Sequence, residues 1–106
     1  MEQHIDATND NDADGNPAGG LVQATGLQIY WQDGPLGRGD ERREPNGAFV
    51  ETVIAAAKQR IEYYQTTKFV CDDNAEAIDL LSRALEVLHR RTADREARDV
   101  EGTHAL

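Results

Sequence analysis

The sequence predicts a mainly α-helical fold with a small β element. We expect an antiparallel two-helix hairpin preceded by a short strand or small hairpin, assembled into a homo-oligomer. An apolar pattern of period 2 runs to residue 31, and a pattern of three- and four-residue steps begins at residue 48. The chain of 106 residues is also short for the apolar surface that its helices carry. Since one domain takes about 100–200 residues, the chain accommodates a single one.

Residues 1–20 are predicted to form a disordered acidic tail. They contain five acidic residues, no basic residue and almost no apolar side chain. Such a segment cannot bury enough surface to offset the entropy lost on ordering. We therefore place the single domain at residues 21–106.

The segment 21–46 is predicted to contain one short strand followed by a loop. Leu27, Ile29 and Trp31 alternate with polar or amphipathic neighbours, which is the pattern of a half-buried strand. The residues that follow are rich in Gly, Pro and charge, with turn signals at residues 33–35 and 45–47. This composition is typical of an exposed loop.

Two helices are predicted, over residues 47–67 and 72–99, and a short loop joins them as an αα-hairpin. Asn46 is the expected N-cap of the first helix, and Asp72 or Asp73 that of the second. The apolar stripe of the second helix consists of Ile78, Leu81, Leu85 and Leu88. Core packing is the expected role of Phe69 and of one of the adjacent Tyr63 and Tyr64.

Composition argues against several classes of protein. The net charge of −9 disfavours a binder of DNA or RNA polymers, and no apolar run reaches the roughly 20 residues of a membrane span. With Cys71 as the single cysteine and three isolated histidines, the sequence predicts no disulfide, no metal site and no cofactor. No catalytic motif or placed acid–base pair is present, so we expect no enzyme.

Five arginines lie between positions 83 and 98, and two interpretations of them remain open. One is a solvated helix face with i,i+4 ion pairs, since Arg83, Arg90 and Arg98 each have an acid three or four residues away. The other is anion binding, to which the planar guanidinium is suited. Arg91 favours the second interpretation because no acid precedes it at i−3 or i−4, and it borders the apolar stripe.

The end of the first helix offers groups that suit a nucleotide. Successive side chains on a helix turn by about 100°, so Tyr63 and Tyr64 cannot both enter one core. One tyrosine is then available to stack on a ligand. Asn74, ten residues after Tyr64, adds an amide near the start of the second helix.

Four segments together resemble a known family: GLQIYWQDGPLG, NGAFVETVIAAAKQRIEYYQ, FVCDDNAEAIDLL and RRTADREARDVEGTH. Over residues 26–104 the chain resembles the phage Thoeris anti-defence sponges, which are grouped with the anti-CBASS sponges through a shared helical hairpin domain. The resemblance implies a single sponge domain acting in the host cytoplasm. It also implies a homo-oligomer, a hexamer in the family, that sequesters nucleotide second messengers without cleaving them.

The same resemblance implies roles for individual residues. Tyr64 falls on the aromatic position that stacks on glycocyclic ADP-ribose isomers, where the family often has Phe. Asn74 falls on a polar ligand contact and Arg91 on a phosphate contact. Arg95, Arg98 and the loop residue Arg38 are candidates for a second site that takes cyclic di- or trinucleotides.

Two other classes compete with this hypothesis. An oligomeric helical-hairpin adaptor would bind a protein partner through the same helices without needing Arg91 and Tyr64 together. A phosphodiesterase or lyase acting on the signal would need a metal cluster or an acid–base pair, which the sequence lacks.

Overall fold

A computed structural model describes residues 1–106. The elements in chain order are β1 (Asp6–Asn11), β2 (Pro17–Ala24), β3 (Leu27–Tyr30), a 3-10 turn (Gly39–Glu41), α1 (Val50–Tyr64) and α2 (Asp72–Ala97). Internal contacts group the chain into two compact units. The sheet unit comprises Met1–Phe49 with Val100–Leu106, and the hairpin unit comprises Val50–Asp99.

The sheet unit is built on three antiparallel strands in the order β1-β2-β3. Val22 of β2 lies opposite Ile29 of β3, and Ala24 lies opposite Leu27. Because side chains alternate between the faces of a sheet, these four apolar residues share one face. The alternation predicted around Leu27 and Ile29 is therefore present in β3.

A turn organised by Asp12 joins β1 to β2. Its Oδ1 accepts hydrogen bonds from the backbone N–H groups of Asp14 and Asn16, each at 2.9 Å. The bond from Asn16 is the largest cause that lowers the pKa of the Asp12 carboxyl. A side chain that binds the backbone two and four residues later stabilises a tight reversal without any apolar burial.

The predicted fold class is wrong in its β part. We expected one short strand after residue 21, but the sheet has three strands, and β1 and half of β2 lie within residues 1–20. The boundary predicted at residue 20 falls inside β2. Composition misled the prediction because β1 is exposed along its whole length and gives no apolar signal. The strand forms because its backbone hydrogen-bonds to β2, whose large apolar residues lie after position 20.

The two predicted helices are present, at Val50–Tyr64 and Asp72–Ala97. Gln65 closes the loop between them, since its amide donates to the carbonyl of Cys71 at 3.0 Å and accepts from the N–H of Cys71 at 3.1 Å. The hydroxyls of Thr66 and Thr67 donate to the last carbonyls of α1. Neither helix carries the long apolar run that a membrane-spanning helix requires.

Both predicted N-caps are wrong. The side chain of Asn46 instead holds the loop of the sheet unit, where it accepts from the N–H of Asp33 at 2.8 Å and donates to its carbonyl at 3.0 Å. The cap of α2 is Cys71, whose Sγ accepts from the N–H of Asn74 at 3.4 Å. Asp72 and Asp73 lie one and two residues further on, in the first turn, where their negative charge interacts favourably with the helix dipole.

Neither unit contains a fully buried side chain. Both units expose large apolar side chains, for example Leu27 and Tyr30 in the sheet unit and Leu80 and Val87 in the hairpin unit. Phe69, which we expected in the core, is 67% exposed. Apolar surface that a monomeric domain of this size would normally cover is therefore open for contacts with other molecules.

Candidate ligand-binding residues

Tyr64 belongs to an exposed cluster with Tyr63 and Arg60 at the end of α1. The Arg60 guanidinium lies 4.9 Å from the ring centroid of Tyr63 and 5.0 Å from that of Tyr64. Its Nε also donates to the Tyr64 hydroxyl at 3.2 Å, and this bond raises the pKa of Arg60. The two rings are 48% and 38% exposed, so the expectation that one of them packs in the core is wrong.

The cluster combines a fixed positive charge with aromatic faces that solvent reaches. A guanidinium held over aromatic rings by cation–π contact loses rotamer freedom before any ligand arrives. Flat rings beside a cation suit a molecule that has both a nucleobase and a phosphate. The sequence analysis missed Arg60, although it precedes Tyr63 and Tyr64 by three and four residues, the spacing at which helical side chains meet.

Asn74 lies half-buried in the first turn of α2. Its Nδ2 donates to the carbonyl of Phe69 at 3.2 Å, which fixes the orientation of the amide. The Oδ1 atom can accept a hydrogen bond from a ligand, and Nδ2 keeps a second N–H that can donate one. Asn74 is thus an oriented acceptor near the turn of the hairpin.

Arg91 is exposed, and its side chain forms no hydrogen bond or ion pair. The same holds for Arg83 and Arg90, so the i,i+4 pairs predicted for those two residues are absent. Only the predicted pair of Arg98 with Asp94 is formed, at 3.1 Å. Arg83, Arg90 and Arg91 are therefore all available to bind a ligand. The spacing predicted that Arg91 would differ from the other two in lacking an ion-pair partner, and the structure does not show this difference.

The candidate residues of the hairpin unit fall into two groups. Tyr64 and Asn74 lie near the turn, whereas Arg91 and Arg95 lie in the last two turns of α2 and Arg98 is its C-cap. Asn74 and Arg91 are 17 positions apart, which corresponds to about 25 Å along a helix. Within one copy of the chain, these two side chains cannot contact the same compact nucleotide.

Arg38 belongs to the sheet unit and is engaged there. Its Nη1 donates to the backbone carbonyl of Glu101 at 2.9 Å. The Glu101 carboxylate accepts two hydrogen bonds from Arg42, at 2.6 and 3.0 Å. Gly37 donates to the carbonyl of Gly102 at 2.8 Å, and the backbones lie so close that a Cβ on Gly102 would come within 2.4 Å of the Gly37 oxygen.

No group of three or more His, Cys, Asp or Glu side chains comes together in a way that would hold a metal ion. A broad, open depression in the sheet unit runs along the β2–β3 turn and is lined mainly by His4, Asp6 and residues 23–28. It contains none of the candidate residues. Of the candidate ligand contacts, Tyr64, Arg91, Arg98 and Arg38 are exposed in the single chain, and Asn74 and Arg95 are half-buried.

Comparison with known proteins gives one informative similarity, although no family model matches the chain. Over 59 residues it is 49% identical to Thoeris anti-defense 1 of Bacillus phage SBSphiJ7. The chain is similar to a phage anti-defence protein. The match takes in 56% of this chain and 42% of the relative, so the chain spans less than half the length of the protein that it matches.

Proposed function

We propose that this chain is an anti-defence protein that binds a nucleotide immune signal and withholds it from the bacterial Thoeris effector. The observation that carries the proposal is the 49% identity with Thoeris anti-defense 1 over 59 residues. The exposed rings of Tyr63 and Tyr64, the guanidinium of Arg60 and the available cations of α2 supply the chemistry that such a signal needs. The ligands that we propose are glycocyclic ADP-ribose isomers.

In the proposed site, Tyr64 stacks on the ligand, Asn74 accepts a hydrogen bond from it and Arg91 binds a phosphate. The distance of about 25 Å along α2 between Asn74 and Arg91 requires that they come from different copies of the chain. We therefore propose a homo-oligomer, with the family hexamer as the expected assembly. The large exposed surface of the single chain supports this part of the proposal.

A second site for cyclic di- or trinucleotides would relate this chain to the anti-CBASS sponges. Its proposed residues in the hairpin unit are Arg95 and Arg98, and Arg38 of the sheet unit is a separate candidate contact. Arg38 is already bound to the Glu101 carbonyl, and Arg98 to Asp94. A cyclic oligonucleotide would have to displace or share these contacts. We therefore expect it to bind the second site less tightly than the signal binds the first.

Sequestration requires affinity rather than chemistry. A protein that holds the signal more tightly than the effector does, and releases it slowly, lowers its free concentration in proportion to the number of sites. The net charge of −9 does not oppose binding, because charges are screened over about 8 Å at physiological ionic strength. Arg90 and Arg91, which are adjacent in α2, therefore contribute more to the field at the proposed site than the acids of distant segments do.

The proposal is tested by incubating the protein with glycocyclic ADP-ribose, removing free ligand by filtration and then denaturing the protein. A sponge releases the intact ligand in a fixed ratio to protein. Release of a product would instead identify an enzyme.

Absence of uptake would favour a helical-hairpin adaptor that binds a protein partner. The hairpin unit exposes large apolar residues, which include Phe69, Leu80 and Val87. They offer a surface for a protein partner, and this observation favours the adaptor as the second candidate.

A further inference from the structure

The guanidinium of Arg60 is held in place on one edge and unpartnered on the other. It lies 4.9 Å and 5.0 Å from the ring centroids of Tyr63 and Tyr64, which are 6.0 Å apart, so it lies against both rings. The Nε donates to the Tyr64 hydroxyl at 3.2 Å, but neither Nη group forms a hydrogen bond or an ion pair. The remaining N–H donors are therefore available to another molecule.

The sequence around Arg60 explains why its charge has no partner within the chain. On a helix, the side chains three and four positions away are the ones that reach it. Here these are Ala56 and Ala57 on one side and Tyr63 and Tyr64 on the other, and none is acidic. The two alanines are exposed and small, so they leave the approach to the guanidinium open. The bond to the Tyr64 hydroxyl raises the pKa of Arg60, which keeps the group a cation.

Arg60 lies towards the end of the hairpin unit that also carries Asn74. Gln65, which follows Tyr64, exchanges two hydrogen bonds with the backbone of Cys71. The Sγ of Cys71 in turn accepts from the N–H of Asn74. Arg60 precedes Tyr64 by four residues, which is about 6 Å along a helix. A cation, a stacking ring and an amide thus belong to the turn region of a single chain.

We propose that Arg60 is a further ligand contact, which binds a phosphate of the nucleotide signal through its two Nη groups while a base stacks on Tyr64. A guanidinium binds a phosphate with two parallel hydrogen bonds in this way. The Tyr64 hydroxyl orients the fork before the ligand arrives, so less side-chain freedom is lost on binding. This inference rests on the proposed function. It gives the stacked nucleotide a phosphate contact from the same chain, in addition to the one proposed for Arg91.

A purely structural role for the same contacts makes different predictions. If Arg60 only held the Tyr64 ring, removal of either partner of their hydrogen bond would have the same effect on binding. A direct contact predicts unequal effects, because Tyr64→Phe keeps both the ring and the cation. The two roles also differ in their response to salt, since salt screens the attraction between a guanidinium and a phosphate, whereas stacking involves no pair of net charges.

The first test is calorimetric titration of glycocyclic ADP-ribose into the parent and its variants. We expect Arg60→Gln to raise Kd about 10-fold, the low end for loss of a charge-assisted hydrogen bond. Tyr64→Phe should raise Kd about threefold, because the fork loses its orientation but keeps its charge. Arg60→Lys should recover only part of the loss, because a point charge replaces the fork. Equal losses in Arg60→Gln and Tyr64→Phe would overturn the direct contact.

Lys58→Gln is the matched control. Lys58 lies on the same helix and loses the same charge, but it is two positions from Arg60 and so points about 200° away around the helix. We expect Lys58→Gln to bind within about twofold of the parent, and every variant to keep the parental helix content by circular dichroism. A loss in Lys58→Gln as large as that in Arg60→Gln would show that overall charge, rather than the contact, is responsible.

The second test repeats the titrations at about 0.1 M and about 1 M salt, between which the screening length falls from roughly 10 to 3 Å. The Kd of the parent and of Lys58→Gln should rise more steeply with salt than that of Arg60→Gln, which lacks one screened pair. Equal salt dependence of the parent and Arg60→Gln would identify a structural role and overturn the proposal.

Failure of the proposed function has a different outcome from failure of this inference. A parent that takes up no glycocyclic ADP-ribose refutes the proposed function and the role of Arg60 with it. A parent that binds the ligand, together with an Arg60→Gln variant that binds it equally well, refutes the role of Arg60 alone.

Discussion

Replacement of Arg91 by alanine is the most informative perturbation of the proposed ligand site. The Arg91 side chain is exposed and forms no ion pair, so its removal breaks no interaction that stabilises the fold. An exposed substitution of this kind changes the free energy of unfolding by about 0.5 kcal/mol or less. Any large loss of binding by Arg91→Ala therefore reports on the ligand contact.

The expected loss follows from the hydrogen bond to a phosphate. A charge-assisted hydrogen bond contributes roughly 1.5–3 kcal/mol, which corresponds to a rise of about 10- to 150-fold in Kd. Arg91→Lys should recover little of this, because a point charge replaces a planar, bidentate donor. Calorimetric titration with glycocyclic ADP-ribose measures each variant, and light scattering checks that its assembly is unchanged.

Arg83→Ala is the matched control. Arg83 is likewise an exposed arginine of α2 without an ion-pair partner, so its removal makes the same change in charge at a different position. We expect Arg83→Ala to bind within about threefold of the parent, the change that roughly 0.6 kcal/mol produces. If Arg91→Ala binds like the parent and Arg83→Ala does not, the ligand lies on another face of α2 and our assignment is refuted.

Three further predictions concern other parts of the chain. Tyr64→Ala should weaken binding by about 5- to 10-fold through the lost stacking surface, and an equal loss in Tyr63→Ala would show that Arg60 rather than the Tyr64 ring is decisive. Deletion of residues 1–20 should abolish the sheet, because it removes β1 and half of β2; retention of the parental β signal in circular dichroism would contradict this. The Asp12 turn should contribute stability above the unfolded carboxyl pKa of about 3.9 and lose it as pH falls through the lowered folded pKa. The protection factor of the Asn16 amide should therefore fall at low pH in the parent and be low at every pH in Asp12→Ala.

The helical hairpin is the part of the fold that local sequence predicts well. The 3.6-residue periodicity of apolar side chains and the high helix propensity of the alanine-rich first helix act within each segment. The bounds of α1 and α2 accordingly lie within the predicted ranges. The sheet depends on pairing between segments, and composition taken one segment at a time assigned β1 to a disordered tail.

The candidate site shows the same division between local and tertiary information. Sequence patterns and the family resemblance singled out Tyr64, Asn74 and Arg91 as residues with the right chemistry. Only the three-dimensional structure shows that Arg60 lies over both tyrosine rings and that Arg83 does not form the predicted ion pairs. Spacing determines which side chains can approach each other, whereas rotamers and solvent decide which of them do.

The sequence by itself therefore determined the two helices, the apolar stripes along them and the chemical character of the candidate ligand residues, because these properties depend on residues within a few positions of one another. The tertiary structure decided how residues 6–30 pair into a three-stranded sheet and which residue caps α2. It also showed that Tyr63, Tyr64 and Phe69 are exposed rather than packed in a core. Such features depend on whether distant segments meet, and this is set by the free energy of the whole chain rather than by any local pattern.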